Sequence, residues 1–222
     1  MKSKKKLSKV EVKGLEARFY DTLMDFISLG KYAKFIKSAL DVIELKDNFS
    51  LIDFGAGTGR NILILNDKVK KRNLKNVEFY GVDIGKIMSE KFLKKTRKHG
   101  NIHFINFDIR KQFDLEKFSF DAGLISFVLH GFIQEDRNKI LNNFSKLIKP
   151  GGKLYILDYN EIDVDKAKWY IRFFFRKLEC PLAEDFANRN LSSMLKQHSF
   201  EKEFYKFYFK DVIRMAVFTK TV

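Results

Sequence analysis

An acid followed by three glycines at alternate positions, Asp53-Phe54-Gly55-Ala56-Gly57-Thr58-Gly59, carries the plainest chemical meaning in this sequence. Glycines at that spacing let a backbone turn sharply and approach a ligand without Cβ interference. A helix opening behind them aims free N–H groups at an anionic or carboxylate group. A dinucleotide loop, Gly-x-Gly-x-x-Gly, would need glycine at position 60, where Arg60 stands. Two more acids follow apolar runs: Asp83 after Tyr80-Gly81-Val82, and Asp108 after Asn106-Phe107. A carboxylate ending the second strand of such a unit can accept from both hydroxyls of a ribose. His130 comes just after a fourth apolar run, at the sheet edge where ligands bind. An imidazole there suits a general base or a substrate orienter. His99, His103 and His198 have no such placement, and no spacing of potential ligands suggests a metal site.

These groups need a scaffold, and the hydrophobic pattern supplies one. Apolar positions Leu15, Phe19, Leu23, Phe26 and Ile27 recur at helical spacing over 15–29, and Gly30 ends the run. A second helix is expected over 31–45. Strands are then expected at 50–54, 77–82, 102–106, 121–128 and 153–157, alternating with helices at 60–71, 86–98 and 136–148. Apolar strands separated by amphipathic helices of about a dozen residues imply βαβ crossovers and a parallel sheet covered on both faces. The last third differs. A helix is expected over 184–197, then two strands, 200–209 and 212–219, separated only by Lys210-Asp211. That gap is too short for a parallel crossover, so these strands should pair antiparallel. The expected fold class is α/β: a doubly wound, mostly parallel seven-stranded sheet closed by an antiparallel hairpin.

The chain has 222 residues, 43 Lys+Arg against 28 Asp+Glu, and a formal net charge of +15. Its 24 Phe and 45% hydrophobic content exclude a disordered chain, and the length suits one domain with a substantial core. A lone Cys180 excludes a disulfide framework and suits a reducing compartment. No run approaches a membrane span and no apolar leader is visible, so the expected location is cytoplasmic. Residues 1–13 hold six Lys and one Glu without apolar periodicity, which predicts a basic, disordered tail ahead of a domain over 14–222. Within that domain, residues 14–46 should form helices over the site.

The spacing Asp-x-Gly-x-Gly-x-Gly resembles motif I of the class I S-adenosylmethionine-dependent methyltransferases, and Tyr80-Gly81-Val82-Asp83-Ile84 resembles their second motif. Phe120-Asp121 followed by 122–130 is similar to the fourth. The resemblance implies a Rossmann-like fold with S-adenosyl-L-methionine held by Asp53, Gly55, Ala56, Gly57, Gly59, Asp83, Ile84, Asp108, Ile109 and Phe127. It places Asp108 on the adenine amino group. Two stretches are similar to the ubiquinone/menaquinone-biosynthesis (UbiE-like) C-methyltransferases. Tyr20-Asp21 and Ile27-Ser28 match the first signature in register, whereas Leu23 and Met24 replace a Met-Asn pair, Tyr32 replaces His and Phe35 replaces Trp. Lys149-Pro150-Gly151-Gly152 and Asp158 match the second, with Asn160 for Ser and Lys146 for Arg.

That resemblance implies a methyltransferase acting on a small apolar, quinone-like acceptor, and the place of His130 at the sheet edge makes it the candidate catalytic group. The segment 166–177 packs five aromatics into Trp169–Phe175, more than one helical stripe buries. Some of these rings must face a ligand pocket, a membrane surface or a partner subunit, so Trp169 and Phe173 are candidate acceptor contacts, with nearby Lys and Arg placed for lipid headgroups or an anionic substrate. Tyr20 and Tyr32, at positions of the first signature, are further candidate contacts. An RNA or protein methyltransferase using the basic surface is the alternative, and a non-catalytic cofactor-binding module is another. Ser126-Phe127-Val128-Leu129 stands where amino-directed DNA methyltransferases carry Asn/Asp-Pro-Pro-aromatic, which disfavours nucleic-acid amine methylation. Oligomeric state leaves no mark in the sequence.

Overall fold

The computed structural model describes residues 31–112 and 119–221, so the basic tail, the 15–29 helix and Tyr20 lie outside the described residues. The chain divides into two compact units, whose described parts are 31–108 and 109–221.

The first unit begins with α1 (Lys31–Leu40), β1 (Ser50–Phe54) and α2 (Arg60–Lys71), and continues with β2 (Glu78–Asp83), α3 (Lys86–Thr96) and β3 (Ile102–Asn106). β1 pairs parallel with β2 (Ser50 opposite Glu78), and β2 parallel with β3 (Phe79 opposite Ile102). Leu51 to Phe54 are all buried, as expected of a strand covered on both faces. α1 stops five residues before the expected end, and Lys68 of α2 donates to the terminal Leu40 carbonyl at 2.8 Å while pairing with Asp41. A cation on the last carbonyl of a helix is a favourable stop.

The second unit contains β4 (Phe120–Ser126), a 3-10 turn (Leu129–Gly131), α4 (Gln134–Leu147) and β5 (Ile148–Tyr159). It continues through α5 (Trp169–Phe173), a π-helical turn (Phe174–Leu178), α6 (Pro181–Ala187) and α7 (Leu191–Lys196) to β6 (Phe200–Tyr208) and β7 (Ile213–Lys220). β5 runs parallel to β4, and β7 is antiparallel to both β5 and β6. The strands run in the order β3-β2-β1 in the first unit and β4-β5-β7-β6 in the second, the seven strands, mostly parallel with an antiparallel end, that the alternation implied.

Several boundaries differ from expectation, three of the differences having a clear local cause. β5 begins at Ile148, because the Lys149-Pro150-Gly151-Gly152 turn is a bulge within the strand: Phe120 faces Ile148 and Ala122 already faces Lys153. It also runs on to Tyr159, which pairs with Ile213 of β7. The expected 184–197 helix is two helices. Asn190 breaks it, its side chain accepting from the Ser193 N–H at 2.8 Å as the cap of α7. The hairpin loop takes in Phe209 and Val212 as well as Lys210-Asp211, since Phe209, Lys210 and Asp211 all have positive φ and cannot continue a strand.

Candidate active site

In the first unit the glycine loop leaves the end of β1 and is fastened to the end of β2. The Gly55 and Ala56 N–H groups both donate to the Val82 carbonyl, at 2.8 and 3.0 Å. Gly55, Gly57 and Gly59 have φ of 75°, 54° and 77°, a left-handed run that side chains would resist. The fully buried Phe92 of α3 lies under the loop. A Cβ at Gly59 would come within 2.8 Å of its ring and one at Gly81 within 2.4 Å, so these glycines answer to packing. Gly57 is different. A Cβ there would meet nothing nearer than the Gly55 oxygen at 4.0 Å, leaving that side of the loop open to an approaching ligand.

Asp83 closes the arrangement. One carboxylate oxygen accepts from the Gly57 N–H at 2.9 Å and the other from the Gly85 N–H at 2.7 Å, where α3 begins. It therefore holds the loop in shape and steadies the next helix. The Phe107 N–H donates to the Asp83 carbonyl at 3.2 Å, which brings the buried Asp108 to the same end of the strands. Ile84 is half-buried beside it. Tyr32 lies beneath the Arg60 guanidinium, 5.2 Å from its ring centre. At the strand end, Asp53 is fully buried and neither carboxylate oxygen has a hydrogen-bond partner among the described residues. Burial, reinforced by the Asp83 charge and only partly offset by the Asn61 side chain, pushes its pKa well above the ordinary carboxylate value.

The second unit gathers a different chemistry around His130, on the 3-10 turn after β4. Its Nδ1 lies 2.8 Å from Asp158 Oδ1 at the end of β5. An ionised carboxylate only accepts, so Nδ1 carries a proton, and in the neutral ring Nε2, 3.7 Å from Glu179 Oε2, holds the lone pair. Burial alone would lower the pKa of His130, but the Asp158 charge and hydrogen bond, with Glu179, outweigh it and raise the pKa above the ordinary imidazole value. Tyr159 donates its hydroxyl to Glu179 Oε1 at 2.6 Å, and its ring packs edge-on to His130, Phe127, Phe174 and Phe175. Burial and the Glu179 charge push that phenol far upward, so it remains a donor.

Arg137 fixes the turn that carries His130. Its side chain is fully buried, donating to the carbonyls of Leu129 (3.0 Å) and Leu182 (3.1 Å) and pairing with Asp185 at 2.6 Å. Phe127, which the sequence assigns to the cofactor, has φ of 54° and a ring 6.3 Å from that of Tyr159. A non-glycine residue held there marks strain at the strand end. Ile109 is buried, its carbonyl accepting from Asn143 at 2.8 Å.

His130, Glu179 and Cys180 each bring one potential metal-ligand atom within 4.8 Å of the others, a grouping that the residue spacing does not reveal. The Glu179 oxygens already accept from Tyr159 and from the Cys180 N–H, which makes the cluster a hydrogen-bond network. Trp169 and Phe173 are 73% and 54% exposed, while Phe174 and Phe175 turn toward Tyr159. Sequence reasoning missed Tyr159, Glu179 and Arg137, none of which stands in a recognisable spacing. Asp158 was visible only as an acidic position of the second signature.

An α/β chain whose first strand ends in this glycine loop and whose second ends in a carboxylate fastened to it has the build of a class I methyltransferase, whose cofactor is S-adenosylmethionine. Comparison with known proteins narrows the class: residues 2–221 match the ubiE/COQ5 methyltransferase family, and the chain belongs to it. It is 26% identical over 148 residues to a ubiquinone/menaquinone biosynthesis C-methyltransferase UbiE of Methylococcus capsulatus, covering 64% of this chain and 56% of that protein. It is 28% identical over 170 residues to des-methyl DIF-1 methyltransferase A of Dictyostelium discoideum, covering 73% of this chain and 43% of the relative. The chain thus spans about half the length of these relatives. Among solved structures, a SAM-dependent methyltransferase from Aquifex aeolicus superposes with a TM-score of 0.62 at 16% identity, over 84% of this chain and 89% of that one. The [4+2]-cyclase SpnF superposes at 0.63 and 12%, over 86% and 81%. These likenesses show the fold alone, since proteins of differing activity share it.

The first unit fits the cofactor on its own geometry. Asp53 is a buried carboxylate in want of a donor, and the amino group of the methionine moiety is a cationic one. The open side of Gly57 gives backbone approach.

Proposed function

We propose that this protein transfers the methyl group of S-adenosylmethionine to a small, apolar, quinone-like acceptor whose reacting form is an enol or phenol anion. Asp53, Gly57, Asp83 and Asp108 hold the cofactor, with Ile84, Ile109 and Phe127 as apolar contacts to it. When bound, the cofactor supplies an electrophilic methyl group on a sulfonium. The protein's own task is to orient the acceptor, exclude water and remove a proton.

His130 is the base in this reading. Asp158 fixes its tautomer and steadies the imidazolium that forms, the logic of a base oriented by a third group. The observation that carries the assignment is the 2.8 Å contact from Nδ1 to Asp158, which leaves Nε2 as the lone-pair atom. The aromatic rings of Phe127, Tyr159 and Phe174 supply apolar surroundings for a ring-shaped acceptor, and Tyr32 is a further candidate contact. The names of the relatives support a quinone-like acceptor.

Purified protein supplied with methyl-labelled cofactor and separate lipid, RNA and protein pools tests the reading. Label should enter the lipid extract, and His130→Asn should lose most of it while cofactor affinity holds. Label in RNA or protein would overturn the acceptor. Cofactor binding with no transfer to any pool would leave a binding module.

A further inference from the structure

α5 exposes what a cytosolic protein normally hides. Trp169 and Phe173 stand four residues apart on one helical face, and Tyr170 adjoins them at 41% exposure. Behind them Phe174 and Phe175 pack on Tyr159, so the outward rings are not needed to fill the interior. A shared hollow, lined by Tyr170, Ile171 and Val212 with three lysines (Lys166, Lys168, Lys210) against two acids (Glu161, Asp211), places the β6–β7 turn beside this segment. Phe209, which opens that turn, is 54% exposed.

The charge around these rings is predominantly positive. Residues 163–177 carry five bases and two acids. The acids are engaged locally: Asp163 pairs with Lys166 at 2.8 Å, and Asp165 with Arg176. Lys168, Arg172 and Lys177 are exposed along the same segment. Trp, Tyr and Phe within a cluster of Lys and Arg have the composition of a membrane-interface anchor, with rings at headgroup depth and cations on anionic lipid. Among the described residues no helix is long and apolar enough to cross a bilayer, so such contact would be peripheral.

We propose that α5 and the adjoining β6–β7 turn form a docking face for an anionic bilayer surface. Charge complementarity and the aromatic-basic composition favour lipid over RNA, which would call for bases stacked on rings along a continuous phosphate-tracking groove. The purpose of the contact, collecting a membrane-dissolved acceptor, rests on the function proposed above. The contact itself does not.

Trp169 is the only tryptophan in the chain, so the face carries its own reporter. The full chain is titrated with vesicles of neutral phosphatidylcholine and of phosphatidylcholine containing phosphatidylglycerol, following Trp169 emission, its quenching by brominated lipid, and co-sedimentation. Binding should appear on anionic vesicles, with a blue shift and quenching, and fall at high salt. Phe173→Ser should weaken it about tenfold, the scale of one partly exposed aromatic side chain. Lys168→Ala and Arg172→Ala should each cost about fivefold on anionic vesicles and nothing measurable on neutral ones. Each variant must keep wild-type cofactor affinity, which excludes misfolding as the cause. Unaltered Trp169 emission with every vesicle, or a shift produced by single-stranded RNA and not by lipid, would overturn the proposal. Vesicle binding without methylation of any lipid-soluble acceptor would refute the proposed function and leave the docking face standing. Methylation of a detergent-dispersed acceptor without vesicle binding would do the reverse.

Discussion

Replacing Asp53 with asparagine should make the cofactor-free protein more stable and the cofactor-bound protein weaker. In the free protein this carboxylate is wholly buried, faces the like charge of Asp83, and makes no well-formed hydrogen bond among the described residues, the Asn61 side chain offsetting its burial only in part. An unsatisfied buried polar group costs about 1–3 kcal/mol, more when charged. Asparagine keeps the shape and removes the charge. A gain of about 1–2 kcal/mol is therefore expected, or roughly 2–8 °C in the thermal midpoint for a chain of this size. The pH dependence has a definite sign. The pKa of Asp53 is raised on folding, so the wild type is most stable below the unfolded carboxylate value and loses stability as pH rises through the folded one. Asp53→Asn should lack that decline. Cofactor affinity should move the other way, falling by roughly 10- to 150-fold for one charge-assisted hydrogen bond of about 1.5–3 kcal/mol. Thermal unfolding without cofactor at pH 5 and pH 8, with calorimetric titration of S-adenosylmethionine, measures both. A lower midpoint in the variant, or an affinity within twofold of wild type, would refute the assignment of Asp53 to the methionine amino group.

Asp83→Asn should weaken cofactor binding by at least tenfold and also destabilise the free protein, because an amide cannot accept from both Gly57 and Gly85; calorimetry and thermal melts report the two losses separately. Gly57→Val should abolish binding, since its Cβ would enter the open side of the loop, whereas Gly81→Ala should chiefly destabilise the fold, by about 1–3 kcal/mol through the overlap with Phe92, as denaturant unfolding would show. His130→Asn should lower kcat by about 10²–10⁴ without changing cofactor affinity. A base works when neutral, so activity should be lost as pH falls through the raised His130 pKa, and Asp158→Asn should move that acid limb to lower pH in a kcat/KM profile.

The cofactor side was legible in the sequence because its chemistry is local. The glycine run, the strand before it and the helix after it are contiguous, and β1, α2 and β3 have the expected bounds. What the sequence could not give was Asp83's bond to Gly57, which joins residues 26 apart. The acceptor side was legible only through His130. Its partners come from the end of β5 and from the residue just after the π turn, 28 and 49 positions away, and become neighbours only through β-sheet register and helix docking. The aromatic segment was visible as an excess of rings over what one stripe buries. Which rings turn inward depends on the π turn that follows α5, and the sequence pattern does not signal one.

Phe92 couples parts of the chain that otherwise look separate. Its ring occupies the volume where a side chain at Gly81 would lie, and it also underlies Gly59. Positions 81 and 92 therefore share one fixed volume: a methyl group gained on the strand must be given up on the helix. Across related chains they should vary as a pair, alanine at 81 appearing with a smaller residue at 92. Gly59 has no such freedom, because its φ of 77° disfavours a side chain however much room the helix yields.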